Sequence, residues 1–111
     1  MLPFWEQGIL VEVRIIARRT LREFWEAAGH HDAQQPLRAW FAEASKAEWT
    51  NPADVKRQHR NASIVGSSRV VFNIGGNKYR LVVAVKYAAR IMFVRFVGTH
   101  AQYDRIDVET V

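Results

Sequence analysis

The sequence contains no cysteine. That removes disulfide scaffolds, thiolate metal sites and cysteine nucleophiles, and it agrees with a reducing compartment. No apolar run approaches the ~18–20 residues of a membrane-spanning helix. Met1 to Leu10 lacks the basic start of a secretory signal, and Glu6 and Gln7 interrupt any apolar centre. A cytoplasmic protein is the expectation. The four histidines form no helical i, i+4 pair and have no carboxylate cluster beside them, so no metal-ligand spacing is present. Gly75-Gly76 is too short for a phosphate-cradling loop and reads as a hairpin turn. The most informative absence is acid: between Val55 and Tyr103 there is no Asp or Glu.

What is present is one domain's worth of chain. The 111 residues are 49% hydrophobic and 24% charged, a globular composition. The net charge of +5 is unevenly placed. Residues 1–53 carry six basic and seven acidic side chains, whereas residues 54–111 carry ten basic and four acidic. The acid-free block holds Lys56, Arg57, Arg60, Arg69, Lys78, Arg80, Lys86, Arg90 and Arg95. Ordinary surfaces intersperse both signs, so a one-signed block of this length predicts a face that meets an anion.

The pattern of elements predicts an α+β domain. Val11 to Ala17 is β-branched and reads as a first strand. Met1 to Glu12 reads as an N-terminal extension of doubtful role, and the coherent domain as residues 13–111. Thr20 with Glu23 fits a capping box for a first helix that Gly29 stops; Asp32 with Gln35 fits a second, for a helix from Ala33 to Glu48. Trp40 and Phe41 are expected in the core. Asn51-Pro52-Ala53-Asp54 reads as a turn leading into a short helical turn, and His59 to Ser68 as polar and irregular. Three strands follow at Arg69–Ile74, Lys78–Tyr87 and Arg90–Val97, with Gly75-Gly76-Asn77 and Ala88-Ala89 as tips. The remainder, to Val111, reads as a polar tail with one helical turn.

A tip at Ala88-Ala89 places Val85 opposite Met92, Val83 opposite Val94 and Leu81 opposite Phe96. One face is then wholly apolar. On the other face Arg80 and Arg95 become diagonal neighbours. Two guanidinium groups on one sheet face repel unless they share an anion, and their forks match phosphate oxygens. His100 and Tyr103 follow the last strand and can reach the Arg80 end. If the anion is RNA, its 2′-hydroxyl supplies the nucleophile. The protein then needs a base, an acid and cations. Arg80 and Arg95 are candidate charge stabilisers, and His100 and Tyr103 candidate proton-transfer groups. Lys56, Arg57, Arg60, Lys78 and Lys86 are candidate RNA-binding residues. Two other readings use the same cations: a non-catalytic RNA- or ribosome-binding module, and a domain that binds an acidic protein.

The string Val71-Phe72-Asn73-Ile74-Gly75-Gly76-Asn77-Lys78-Tyr79-Arg80-Leu81-Val82-Val83, with Gly98-Thr99-His100-Ala101-Gln102-Tyr103-Asp104 after it, resembles the HigB family of toxins, within the RelE-like group. Thr20 to Glu26, Pro36 to Trp40 and Glu48 to Lys56 look like that family too. The resemblance covers about Val13 to Val111. It implies a RelE-like α+β fold, with an N-terminal strand and two helices packed on an antiparallel sheet. It implies a metal-independent messenger-RNA endonuclease acting on translating ribosomes. A helix-turn-helix antitoxin (HigA-like) is the implied partner, and operator DNA is reached only through it. Arg80 matches the family's strand arginine, His100 the basic residue after the last strand, and Tyr103 the C-terminal tyrosine. No cofactor or metal is implied.

Overall fold

A computed structural model describes residues 13–111. The elements in chain order are β1 (Arg14–Ile16), α1 (Arg18–Glu26), a 3-10 turn (His31–Ala33), α2 (Gln34–Ser45), α3 (Pro52–Gln58), β2 (Ser63–Val65), β3 (Arg69–Ile74), β4 (Tyr79–Lys86), β5 (Ile91–Thr99) and α4 (His100–Tyr103). The strands form one sheet in the order β1-β5-β4-β3-β2. Every pairing is antiparallel except β1 with β5, which is parallel. This is the expected α+β arrangement, with one parallel edge. The extension at residues 1–12, and the part of the first strand placed at Val11 and Glu12, lie outside the described residues. No helix among those described is long and apolar enough to cross a membrane.

Helices α1 to α3 cover one face of the sheet. Strand alternation sends Tyr79, Leu81, Val83 and Val85 of β4 to that face. They are all buried there, with Phe72 and Ile74 of β3 and Met92 of β5. Helix α2 supplies Leu37, Trp40 and Ala44 at helical spacing, and α1 supplies Leu21. Leu21 and Leu37 have no exposed surface. Each such side chain contributes about 1.5–3 kcal/mol of transfer free energy. Phe41 is only half-buried, with the Arg18 guanidinium 5.2 Å from its ring centroid.

Both capping boxes placed on the first two helices are corrected. Helix α1 starts two residues before Thr20, with Ala17 at the N-cap and no side-chain cap. Helix α2 starts after a 3-10 turn, with Ala33 at its N-cap, and Asp32 bonds elsewhere. Helix α3 takes in most of the expected turn: it begins at Pro52, and Asn51 Oδ1 caps it by accepting from Asp54 N at 3.1 Å. The His59–Ser68 tract is not wholly irregular, because Ser63–Val65 adds a short edge strand to β3.

The β4–β5 hairpin keeps the expected register near its tip. A four-residue loop preserves Val85 opposite Met92 and Val83 opposite Val94. A bulge then intervenes: Val82 pairs with Phe96 and Leu81 with Val97. The placement of Leu81 opposite Phe96 is therefore overturned. Arg95 is the extra residue of the bulge. Phe96 moves to the outer face, and Val97 packs against the core instead. Nor is the outer face an open sheet. The Val111 carbonyl accepts from Arg69 Nη2 at 2.8 Å and from Arg95 Nε at 3.2 Å. This holds the tail across the face on which Val71, Val82 and Ala84 are buried.

Candidate active site at the β3–β4 turn

The site is built on a four-residue turn between Ile74 and Tyr79. Gly75 and Gly76 have φ of +63° and +70°, a left-handed pair that side-chain-bearing residues rarely adopt in succession. This turn sets Asn73 directly opposite Arg80. Arg80 Nη1 donates to Asn73 Oδ1 at 2.6 Å and to Asn77 Oδ1 at 2.7 Å. Arginine has no acceptor, so both amides must present oxygen. Amides orient the guanidinium without neutralising it. Its Nη2 and Nε hydrogens take no partner among the described residues.

Helix α4 brings the proton-transfer candidates to the same place. Thr99 is its N-cap, with Gln102 completing a capping box: Thr99 Oγ1 accepts from Gln102 N at 3.2 Å, and Gln102 Oε1 accepts from Thr99 N at 2.9 Å. The box fixes His100 at the first helical position. His100 Nε2 bonds to the Asn77 carbonyl. A carbonyl only accepts, so Nε2 carries the hydrogen and Nδ1 is the atom left for proton exchange. Tyr103 lies three residues further, with the Arg80 Cζ 5.7 Å from its ring centroid. Gly98 pairs with Arg80 across the ladder. A Cβ there would lie 2.6 Å from both Gln102 Oε1 and Phe96 Cζ, so glycine lets the α4 turn close onto the strand.

The other side of the turn is different. Lys78 and the buried Tyr79 both bond to the Asp32 carboxylate. The Lys78 bond, with help from Tyr79, holds the Asp32 carboxyl below its ordinary value. The same bond raises Lys78 in turn, and the bond to Asp32 raises Tyr79. Lys78 is thereby tied to the helical layer.

The structure thus gathers Arg80, His100 and Tyr103 and disperses the other candidates. Arg95, expected diagonal to Arg80, sits in the bulge and bonds to Val111. Lys56 donates to the carbonyls of Arg60 and Ala62 at 2.9 and 2.7 Å, shaping the loop after α3. Arg57 pairs with Asp54. Arg60 is exposed and lines a cleft on the helical side of the turn. Lys86 is exposed at the opposite end of β4. The acid-free block is therefore not a single cationic face, because acids and carbonyls from outside it reach several of its cations. Sequence reasoning missed Asn73, Asn77, Gly98, Gln102 and Asp32. The Thr99–Gln102 spacing was a readable capping signal, and counting back through the glycine turn places Asn73 opposite Arg80. Asp32 was read only as a helix cap, and nothing in the sequence marked its bonds to Lys78 and Tyr79. No group of three or more His, Asp or Glu that could hold a metal ion occurs among the described residues.

The open, mostly antiparallel five-stranded sheet with its several helices is the α+β arrangement of RelE-like proteins. The chain belongs to the HigB toxin family: the model of that family, described as the RelE-like toxic component of a toxin-antitoxin system, matches residues 33–106, from the start of α2 to just past α4. It is accordingly a toxin of a toxin-antitoxin system, and its family implies an antitoxin as partner. No curated protein matches the chain.

Proposed function

We propose that this toxin is a ribosome-dependent endoribonuclease that cleaves messenger RNA without a metal, and so stops translation in the cytoplasm. The observation that carries the reading is the pairing of an un-neutralised, amide-held Arg80 with a His100 whose Nε2–H is anchored. In the reaction the 2′-oxygen attacks the adjacent phosphorus. The bond from phosphorus to the 5′-oxygen breaks, leaving a 2′,3′-cyclic phosphate and a 5′-hydroxyl. One proton leaves the 2′-oxygen and one reaches the 5′-oxygen. His100 Nδ1 and the Tyr103 hydroxyl are the groups offered for these transfers. The free edge of the Arg80 guanidinium faces the charge that builds on the phosphoryl oxygens.

The ribosome holds and orients the message, which explains how so small a site suffices. A helix-turn-helix antitoxin of the HigA-like kind restrains the toxin, and operator DNA is contacted through that partner. The test is induced expression in growing bacteria, with message cleavage mapped on translating ribosomes in the presence of a chelator. The wild type arrests growth and cuts translated message. Arg80→Ala abolishes both while the protein stays folded and still binds ribosomes. Full toxicity of Arg80→Ala removes the site assignment. A wild-type protein that binds ribosomes without cutting message is a binding module, not an enzyme.

A further inference from the structure

On the helical side of the same turn lies a cleft of about 390 Å³ that the cleavage chemistry does not use. Its size is at the lower end of the ~300–1,000 Å³ range of small-molecule pockets. Packed aromatic rings form its floor. Trp40 meets Phe72 edge-on at 5.4 Å between ring centroids, and His59 meets Phe72 edge-on at 5.1 Å. Trp40 Nε1 and His59 Nε2 are withdrawn from solvent with no hydrogen-bond partner. Trp40 is 97% buried, so its N–H has no water to replace the missing acceptor.

The backbone adds a second set of polar groups. Val85 N donates to the Ser68 carbonyl at 2.8 Å. Antiparallel alternation then turns the main chain of Arg69, Val71 and Asn73 away from β4, toward β2. Strand β2 begins at Ser63, opposite Val71. Asn73 is thus beyond the reach of β2, with its N–H and C=O at an open sheet edge that borders the cleft. One carboxylate, Glu43, and one guanidinium, Arg60, line the cleft and offset each other. Burial pushes the His59 imidazole below its ordinary value, against the pull of Glu43 at 3.8 Å. A cleft with an aromatic floor, balanced charge and a hydrogen-bonding edge suits a planar heterocycle better than a phosphate.

We propose that this cleft binds one nucleobase of the RNA substrate, laid against the part-exposed His59 ring over the Trp40–Phe72 floor and read at its edge by His59 and the Asn73 main chain. The proposal rests on the ribonuclease reading. Its geometric support is that the cleft and the Arg80 cradle share Asn73 and the Gly75-Gly76 turn. A nucleotide whose phosphate meets Arg80 can pass its base over the sheet edge into the cleft. The base beside the scissile bond is then selected by the toxin itself.

Binding is testable apart from catalysis. The folded full-length protein, isotopically labelled, is titrated with adenosine, guanosine, cytidine and uridine, and separately with inorganic phosphate. At least one nucleoside shifts the Trp40 indole N–H, His59 and Gly76 signals, and phosphate does not. Arg80→Ala keeps these shifts. Ala39→Trp, a substitution at an exposed α2 position that fills the cleft, weakens the preferred nucleoside at least about tenfold. His59→Phe, which keeps a ring but removes its nitrogens, alters which nucleoside is preferred. Mapped cuts on ribosomes lose their base preference in Ala39→Trp. If no nucleoside moves those signals, or phosphate moves them equally, the proposal is overturned even where the wild type cuts message. If the nucleoside shifts occur but no message is cut, the cleft stands and the ribonuclease reading fails.

Discussion

Lys78 and Arg80 are two residues apart, flank one buried tyrosine and meet opposite fates. Lys78 reaches Asp32 on the helical layer and is neutralised by a carboxylate. Arg80 reaches Asn73 and Asn77 on the outer side, where amides orient it but leave its charge. Both arrangements fix a cation in place; only the second leaves it able to act on an anion. A carboxylate beside Arg80 would hold it equally well and would compete with phosphate for it. The difference separates a cation tied to a carboxylate from one whose charge is left unmatched. Net charge, which counts both alike, cannot make that distinction.

The sharpest way to break this contrast is Arg80→Lys. The charge stays, but an ammonium cannot bond two amide oxygens through one nitrogen and still present a planar fork. Message cleavage is expected to fall by about 10²-fold, the usual cost of one displaced transition-state donor, with the melting temperature little changed. Cleavage near the wild-type rate would mean that charge alone matters and that Asn73 and Asn77 do no positioning.

Asp32→Asn tests the opposite side. It leaves the Arg80 cluster untouched, so the expected effect is on stability: a melting temperature a few degrees lower at pH 7, with cleavage retained at a permissive temperature. The pH dependence has a definite sign. Asp32 is held below its ordinary value in the folded protein, so its contribution is present above the unfolded value of ~3.9 and lost as pH falls through the folded one. Lys78 and Tyr79 are raised, so their share is complete below about pH 10 and lost as pH rises through their folded values. Melting curves of wild type and Asp32→Asn should therefore differ most between about pH 5 and 9 and converge in acid. A constant difference down to pH 2 would show that Asp32 acts through packing and not as a carboxylate.

Much of this contrast was legible before the structure, and the rest was hidden for identifiable reasons. Strand periodicity placed β3 to its ends, because Arg69 to Ile74 is bounded by serines and a glycine pair. The apolar face of β4 and the pairing near the hairpin tip were also readable, since both depend only on alternation and loop length. The bulge at Arg95 was not, because one extra residue leaves no mark in composition while it inverts every assignment beyond it. Local capping patterns misled at Thr20, where the helix begins two residues earlier, and at Asp32, whose carboxylate bonds Lys78 and Tyr79 instead, and went unread at Thr99, where one operates. The Asp32–Lys78 contact joins residues 46 apart in sequence, and no local pattern reports such a pair. Arg80 was nominated by strand parity and family resemblance together, and His100 and Tyr103 by their spacing after the last strand and the same resemblance. Their amide supports were missed because asparagine beside a glycine turn ordinarily signals only the turn.

Lys86 supplies the smallest effect and the control for the comparison. It belongs to the same strand as Arg80, has the same parity, and makes no ion pair among the described residues. By sign and exposure it is the freer cation of the two. It lies six residues along β4, and at ~3.4 Å per residue that is about 20 Å from Arg80. An exposed lysine at that distance is more than a Debye length away in physiological salt, where screening leaves little of its field. Lys86→Ala is therefore expected to change cleavage by no more than about twofold, and chiefly at low salt. A tenfold loss, persisting at physiological salt, would mean that RNA runs the whole length of β4. The placing of one cation by two amides would then matter less than the number of cations along the strand.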